Sequence, residues 1–201
     1  MRIALSFIGI LFLFSACAVT PDVSPASAPR GAYRLDPKHA SLILRLSHGS
    51  GLSQFTARFD NFDAALDFDP MAPEKSRLSV VIETSSINTG MAGFDQKLVG
   101  TKNLLDGKAH PKILFTSTDI ALTGPQDAEV KGVLTLRGVT QPITLNVHFN
   151  GQARDPLRRV QVLGFSAKAE FSRSAFGADA WSNFGVGDRV SVHIEAEFLK
   201  T

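Results

Sequence analysis

The stretch GVLTLRGVTQPITL, residues 132–145, decides the fold of this chain. Apolar and polar residues alternate on both sides of a short connection, and side chains that alternate in this way lie on opposite faces of a β-strand. Gly138 can adopt a positive φ, and Pro142 can begin a strand but not lie inside one. We therefore predict that Arg137 to Pro142 is a hairpin connection. No side chain in the stretch is suited to cutting, transferring or oxidising a substrate, so its predicted role is architectural.

The same alternation recurs from Tyr33 almost to the end of the chain and predicts a series of half-buried strands. One segment departs from it: in 93–111, Phe94 and Leu98, together with Leu104 and Leu105, can line one side of one or two brief helices. The strand-like segments are 41–48, 54–59, 64–69, 77–84, 112–118, 129–137, 143–149, 160–171 and 189–198.

Eight or nine antiparallel strands can form either a closed barrel or a sandwich. A connection as short as the one after Arg137 joins neighbouring strands of an up-and-down sheet, and such a sheet removes its exposed edges by closing on itself. The sequence thus favours an all-β fold, an antiparallel β-barrel of about eight strands with a short helical insertion near 92–108. A barrel of this size has an interior just wide enough for side chains or one small ligand.

The N-terminal residues predict a secreted protein. Residues 1–16 contain one basic residue followed by an apolar run too short to span a membrane comfortably, which is typical of a signal peptide. FSAC at 14–17 resembles a bacterial lipobox, in which Cys17 is acylated. Alternatively, ACA at 16–18 allows cleavage after Ala18, which discards the cysteine. The lipobox is favoured because the single cysteine of the chain lies at the end of the apolar run.

Residues 17–32 are rich in Pro, Ala and Ser and lack an apolar period, so they are predicted to be a flexible tether to a folded domain at 33–201. Ala18, rather than Asp, follows Cys17, and the resemblance to lipoproteins then implies the outer membrane. The expected location is the periplasm, with the signal peptide removed and the protein held at the outer membrane by a lipid anchor.

The charge of the chain argues against a nucleic-acid partner. Its 201 residues carry 21 Lys and Arg against 19 Asp and Glu, a net charge of +2, and these charges form no basic block. Phosphate binding needs clustered basic residues. The mature domain has no cysteine, and therefore neither a disulfide nor a cysteine nucleophile.

The five histidines do not predict a metal site. His148 and His193 fall on the polar faces of their strands, and His110 precedes a proline in a loop. His39 and His48 are nine residues apart, and a metal needs three or four convergent ligands, including carboxylates that the sequence does not place.

Motifs of hydrolases are also missing. The chain contains neither a G-x-S-x-G nor an H-E-x-x-H motif. We therefore predict that the protein is not an enzyme, with no catalytic residues and no cofactor.

The apolar residues indicate more than a filled core. The chain has fifteen Phe but one Tyr and one Trp. Small residues predicted to face inward, such as Ala57, Ala64 and Gly132, favour a hollow interior over a solid one. An apolar pocket with a few polar groups at its mouth is typical of long-chain ligand sites, and each buried methylene contributes about 0.8 kcal/mol.

Several motifs resemble the YceI-like family of bacterial periplasmic and secreted proteins, which share a lipocalin-like barrel and bind polyisoprenoid chains such as quinone tails. The resemblance covers nearly all of 33–199, and GVLTLRGVTQPITL is its most specific part. The other matching segments are YRLDPKHASL (33–42), LRLSHGSGLSQF (44–55), FDQKLVGTKNLLDGKAHPKILFTST (94–118) and GFSAKAEFSRSAFG (164–177).

The chain departs from the family pattern at a few positions. Ala40 stands where Ser is usual, Gln54-Phe55 lacks the preceding Gly, and Lys97 stands where His is common. If these side chains contact the head group of a ligand, the head-group preference of this protein differs from that of its relatives.

The resemblance implies that the barrel binds a long isoprenoid or related lipid, such as a quinone or polyprenyl chain, as a carrier, store or shield. Two alternatives stay open: an interaction module with no enclosed ligand, and an enzyme acting on a lipid. A homodimer is compatible with the sequence, although no feature decides it. The residues expected to contact the chain are Leu44, Leu46, Phe55, Phe59, Leu66, Phe94, Leu98, Phe115, Leu134 and Phe165, with His48 facing its polar end.

Overall fold

The computed structural model describes residues 20–201. The predicted signal peptide, Cys17 and the alternative cleavage site after Ala18 lie outside the described residues. Between residues 20 and 201, no helix has the length and apolar character needed to cross a membrane.

The described chain is an antiparallel barrel with one short α-helix, α1, at Ala92–Gly100. Eight strands close the ring in the order β1-β10-β9-β8-β7-β6-β4-β3, because β1 pairs with both β10 and β3. This architecture confirms the predicted all-β barrel with a helical insertion. The strands are β1 Gly31–His48, β2 Ser53–Phe59, β3 Phe62–Phe68, β4 Arg77–Glu83, β5 Ile87–Asn88, β6 Lys112–Leu122, β7 Asp127–Leu136, β8 Val139–Arg154, β9 Gln161–Ser172 and β10 Arg189–Lys200.

Strand β2 does not follow the predicted up-and-down order. Strand β1 is 18 residues long, and β2 and β3 both pair with the same edge of β1, at different positions along its length. The half that ends at His48 pairs with β2, whereas the half that begins at Gly31 pairs with β3. The two-residue strand β5 pairs with β2 and leads into α1, so the helical insertion lies beside the half of β1 that ends at His48.

The connection between β7 and β8 is a two-residue turn. Arg137 and Gly138 both have positive φ, 53° and 74°, between the paired residues Leu136 and Val139. Two consecutive positive φ values define a type I′ turn, whose twist matches that of the flanking strands. The predicted hairpin is therefore present, and it is tighter than the six-residue connection expected from the sequence.

The prediction that Pro142 begins a strand is wrong, because Pro142 lies inside β8 opposite Val133. Antiparallel pairs alternate between bonded and non-bonded positions, and the turn makes Val133–Pro142 a non-bonded pair. The adjacent Thr135 and Thr140 hydroxyls, 2.8 Å apart, have the close approach expected of such pairs. Strand β9 pairs with β8 only from Asn146 onward. Pro142 therefore has no neighbouring strand on that side, and its missing N–H removes no hydrogen bond from the sheet.

Part of the expected flexible tether packs against the barrel. The backbone groups of Asp22 and Gln152 exchange two hydrogen bonds of 2.8 Å, and Ala28 is buried. The hydroxyl of Tyr33 donates to the carbonyl oxygen of Pro29 at 2.5 Å. From Asp22 onward the segment thus differs from the tether expected over 17–32, because backbone pairing and burial fix it despite its Pro-rich composition.

One end of the barrel contains a cluster of aromatic rings and is called the closed end below. Neighbouring rings have centroids 5.3 to 6.5 Å apart and meet mostly edge to face or tilted, a favourable packing for aromatic side chains. The rings belong to Tyr33, Phe68, Phe149, Phe165 and Phe198.

Gly132 does not leave the interior space that its size suggested. A Cβ atom at this position would lie 2.5 Å from the ring of Phe115 and 2.5 Å from the carbonyl oxygen of Thr116. The Phe115 ring already occupies the space above Gly132, so the hypothesis that Gly132 helps to hollow the barrel is wrong.

We predict that Gly132→Ala lowers the free energy of unfolding by about 1–3 kcal/mol, because the added methyl group overpacks this contact. The measurement is denaturant unfolding of both proteins. Gly164→Ala in β9 is the matched control, since its added Cβ would meet Asn150 at 3.5 Å, an ordinary contact. Equal stability of the two variants would contradict the prediction.

Candidate functional site

Towards the His48 end of β1, the inward faces of the strands enclose a cavity of about 510 Å³, called the main cavity below. Inward side chains line it because successive residues of each strand point to opposite faces. Most of the residues predicted to contact a ligand lie around it, and they are Leu44, Leu46, His48, Phe55, Phe59, Phe94, Leu98, Phe115 and Leu134.

The other two predicted contact residues, Leu66 and Phe165, do not line the main cavity. They line a second cavity of about 150 Å³ at the closed end, called the closed-end cavity. Alternation correctly assigns both side chains to the inward face, but it does not give their depth along the barrel axis.

Helix α1 covers the main cavity. Its residue Asp95 accepts hydrogen bonds from the backbone N–H and the hydroxyl of Thr89, at 2.8 and 2.6 Å, which fixes the entry to the helix. Phe94 packs edge to face on Phe55 of β2, with centroids 5.8 Å apart, and stacks on Trp181 at 5.9 Å. The helix is thus fastened to the barrel wall and to the segment between β9 and β10.

The mouth of the main cavity lies between the end of β1, helix α1 and the segment between β9 and β10. Three lining residues there are exposed, namely His48, Lys97 and Phe184, and Trp181 beside them is half-buried. The Lys97 ammonium lies 5.0 Å from the centre of the Trp181 ring, a cation–π distance. Sequence reasoning did not assign Trp181 and Phe184 to the site, although Trp181 is the single tryptophan of the chain and could have been singled out on that ground.

Arg173 holds the segment between β9 and β10 in place. This buried guanidinium has five N–H donors, and five acceptors surround it. Burial lowers the pKa of Arg173, while the nearby Asp188 and Asp179 carboxylates oppose that decrease. The acceptors are the carbonyl oxygens of Gly187 (2.8 Å), Ala178 (2.5 Å), Ala180 (2.9 Å) and Val186 (3.1 Å) and the hydroxyl of Ser182 (3.0 Å).

Arg137, from the two-residue turn, connects three segments at the same end. Its guanidinium donates to the carbonyl oxygen of Phe176 at 2.7 Å and to that of Lys102. The backbone N–H of Ala180 donates to Asn103 at 3.1 Å. The turn that decides the fold therefore also positions the segments around the main cavity.

A second polar cluster lines neither cavity. Asp36, His39 and Glu197 bring ligand atoms within 4.8 Å of one another, which places carboxylates beside His39 that the sequence could not assign. Asp36 accepts hydrogen bonds from Arg158 at 2.7 Å and His39 at 2.9 Å. Burial favours a higher pKa for Asp36, but these bonds outweigh it and lower the pKa to about 2. A cation bound here would have to displace Arg158.

The closed eight-stranded antiparallel barrel and its covered apolar cavity define a class of protein: a small barrel able to hold one apolar ligand. Residues 33–198 match the YceI-like domain model. The chain belongs to the YceI-like family.

Known relatives agree with this assignment. A UPF0312 protein of Pseudomonas putida strain W619 is 35% identical over 167 residues, which cover 82% of this chain and 85% of that protein. BcnA of Burkholderia cenocepacia has the same fold, with a TM-score of 0.72 and 21% identity over 81% of this chain and 98% of that one. A polyisoprenoid-binding domain from Saccharophagus degradans, implicated in plant cell wall breakdown, has a TM-score of 0.62 at 16% identity, over 86% of this chain and 100% of that one.

We predict that Arg173→Lys destabilises the protein by about 3 kcal/mol, since one ammonium cannot replace five donors and leaves buried carbonyl oxygens unpaired. Thermal unfolding with and without a long-chain ligand is the measurement. Arg189→Lys is the control, because Arg189 forms an exposed ion pair with Glu170. A loss of stability no larger than that of the control would contradict the role assigned to Arg173.

A pH dependence follows from Asp36. Because its pKa is lowered in the folded protein, the stability it contributes is present above the unfolded value of about 3.9 and is lost as the pH falls towards 2. We therefore predict that wild-type protein is more stable than Asp36→Asn at pH 7, and that the difference shrinks between pH 4 and pH 2. Urea unfolding across this range is the measurement, and a difference independent of pH would contradict the prediction.

Proposed function

We propose that the protein binds one long apolar chain, of isoprenoid or related lipid chemistry, with the chain in the main cavity and the head group at the mouth. The observation that supports this proposal most directly is the lining of the main cavity. Among the described residues that surround it, the charged or ionisable side chains are His48, Lys97 and Arg173, and all others are apolar or aromatic. The donors of Arg173 are already used, so Lys97 and His48 remain for a head group.

The volume of the main cavity supports a chain of moderate length. A cavity of about 150 Å³ holds one benzene molecule, which has six carbon atoms. On this scale, 510 Å³ corresponds to about 20 carbon atoms, or about four isoprene units. Ten buried methylenes alone contribute about 8 kcal/mol before the cost of ordering the chain, so binding needs few polar contacts.

The structural relative from Saccharophagus degradans supports the ligand class, because that domain binds polyisoprenoids and shares this fold. The residues at the mouth favour a head group that carries oxygen atoms. The Lys97 ammonium is exposed at the mouth, and it can donate to a quinone carbonyl or to a phosphate oxygen.

A periplasmic role as carrier, store or shield fits a protein that encloses its ligand. The signal peptide and the acylation of Cys17 stay predictions from the sequence. If Cys17 is acylated, the barrel is held at a membrane, which is where its ligand would be found.

Native mass spectrometry of detergent-free protein with lipid extraction tests the proposal. We expect one lipid per barrel, or binding of one long-chain quinone or polyprenol after incubation. An apo mass that is unchanged by both classes of chain would contradict the proposal and favour a surface-interaction module.

We predict that Lys97→Met weakens binding of an isoprenoid quinone about tenfold, because a hydrogen bond to a charged donor contributes about 1.5–3 kcal/mol. Titration followed by native mass spectrometry gives the affinity without relying on Trp181, which lies beside Lys97. Lys108→Met is the matched control, since Lys108 is exposed and does not line the cavity. An equal affinity of both variants would show that Lys97 does not contact the head group.

A further inference from the structure

The two cavities share part of their lining. Leu42, Val80, Leu145 and Ile194 border both the main cavity and the closed-end cavity. Leu42 and Ile194 are direct partners across the β1–β10 pairing, whereas Val80 and Leu145 come from β4 and β8. The four residues therefore approach the barrel axis from several sides at one depth, and they are called the partition below.

Beyond the partition, the barrel is not packed solid. Ala64, Ala128 and Ala167 line the closed-end cavity, and their small side chains leave room in front of the aromatic rings. The space measures about 150 Å³, enough for about six carbon atoms, whereas an isoprene unit has five. The volume beyond the partition thus matches one more unit of the chain.

We propose that the partition sets the maximum length of the chain that the barrel encloses, and that the closed-end cavity is a compartment for one further isoprene unit. This inference rests on the proposed function. A chain that enters from the mouth meets the partition after about four units, and the units that do not fit remain in solvent at the mouth. Each enclosed unit adds affinity through apolar burial, so affinity rises with length and reaches a plateau at the partition.

Val80 is the most informative residue of the partition. It is half-buried and packs against both apolar clusters of the interior, the one around the main cavity and the one at the closed end. Replacement by Ala removes two methyl groups and connects the cavities, without changing a charge or a hydrogen bond. Its neighbour across the β3–β4 pairing is Ala64, so the chain gains a path along this wall.

The test is a series of quinones that share one head group and carry two to eight isoprene units. Quenching of Trp181 fluorescence reports binding, because this residue lies at the mouth and is the single tryptophan. We expect the affinity of the wild-type protein to level off at about four units. In Val80→Ala, we expect the plateau to move to about five units and the five-unit quinone to bind at least tenfold more tightly, with shorter chains unchanged.

Two further variants isolate the effect. Val190→Ala removes the same two methyl groups from a buried residue that lines the main cavity and not the closed-end cavity, so its plateau should not move. Val80→Ala combined with Ala128→Leu refills the closed-end cavity and should restore the wild-type plateau. If Val80→Ala does not fold, Ile194→Val makes a smaller opening in the same partition and serves the same comparison.

The outcomes separate this inference from the proposed function. Absence of binding by wild-type protein at every chain length overturns the proposed function. Binding with an unchanged plateau in Val80→Ala, or in Ile194→Val if that variant replaces it, overturns the partition alone. A wild-type affinity that continues to rise with chain length beyond about four units also overturns it, because the chain would then already pass the partition.

Discussion

Pairing of β1 with β10 is the constraint on which the rest of the structure depends. It joins the first strand of the barrel to the last over Tyr33↔Lys200 through Leu46↔Val190, interrupted between Leu35 and Ala40. Without this pairing the sheet would have two exposed edges and no inside. Because the ring is closed, every inward side chain has a fixed height along the axis, and the interior divides into an aromatic closed end and a hollow end.

The sequence predicted much of this, for identifiable reasons. Strand alternation and the turn at Gly138 depend on local chemistry. The barrel and the residues that face its interior could therefore be predicted from the alternation of apolar and polar residues and from the short connection. The double pairing of β1 could not be predicted, because it depends on the length of a strand whose first residues, from Gly31, looked like tether. Depth along the axis is likewise set by register, which explains why Leu66 and Phe165 lie at the closed end.

The two ends are stabilised by different interactions. The closed end is held by ring packing among Phe68, Phe149 and Phe165, which needs no polar group. At the hollow end, ring packing fastens helix α1 through Phe94 but does not fill the interior, since filling it would remove the cavity. There Arg137 and Arg173 instead hold backbone carbonyl oxygens of the loops around the cavity. Hydrogen bonds at the mouth thus allow an apolar cavity to persist without side chains that fill it.

A hollow interior has a thermodynamic consequence. In engineered cores, sealed empty volume costs about 24 cal/mol per Å³, because the surrounding atoms lose packing contacts. The side chains around the main cavity likewise lack the contacts that a filled core would give them. A chain that binds the folded state restores these contacts and stabilises the barrel by mass action. The cavity on which the proposed ligand binding rests therefore also makes the stability of the barrel sensitive to whether a ligand is bound.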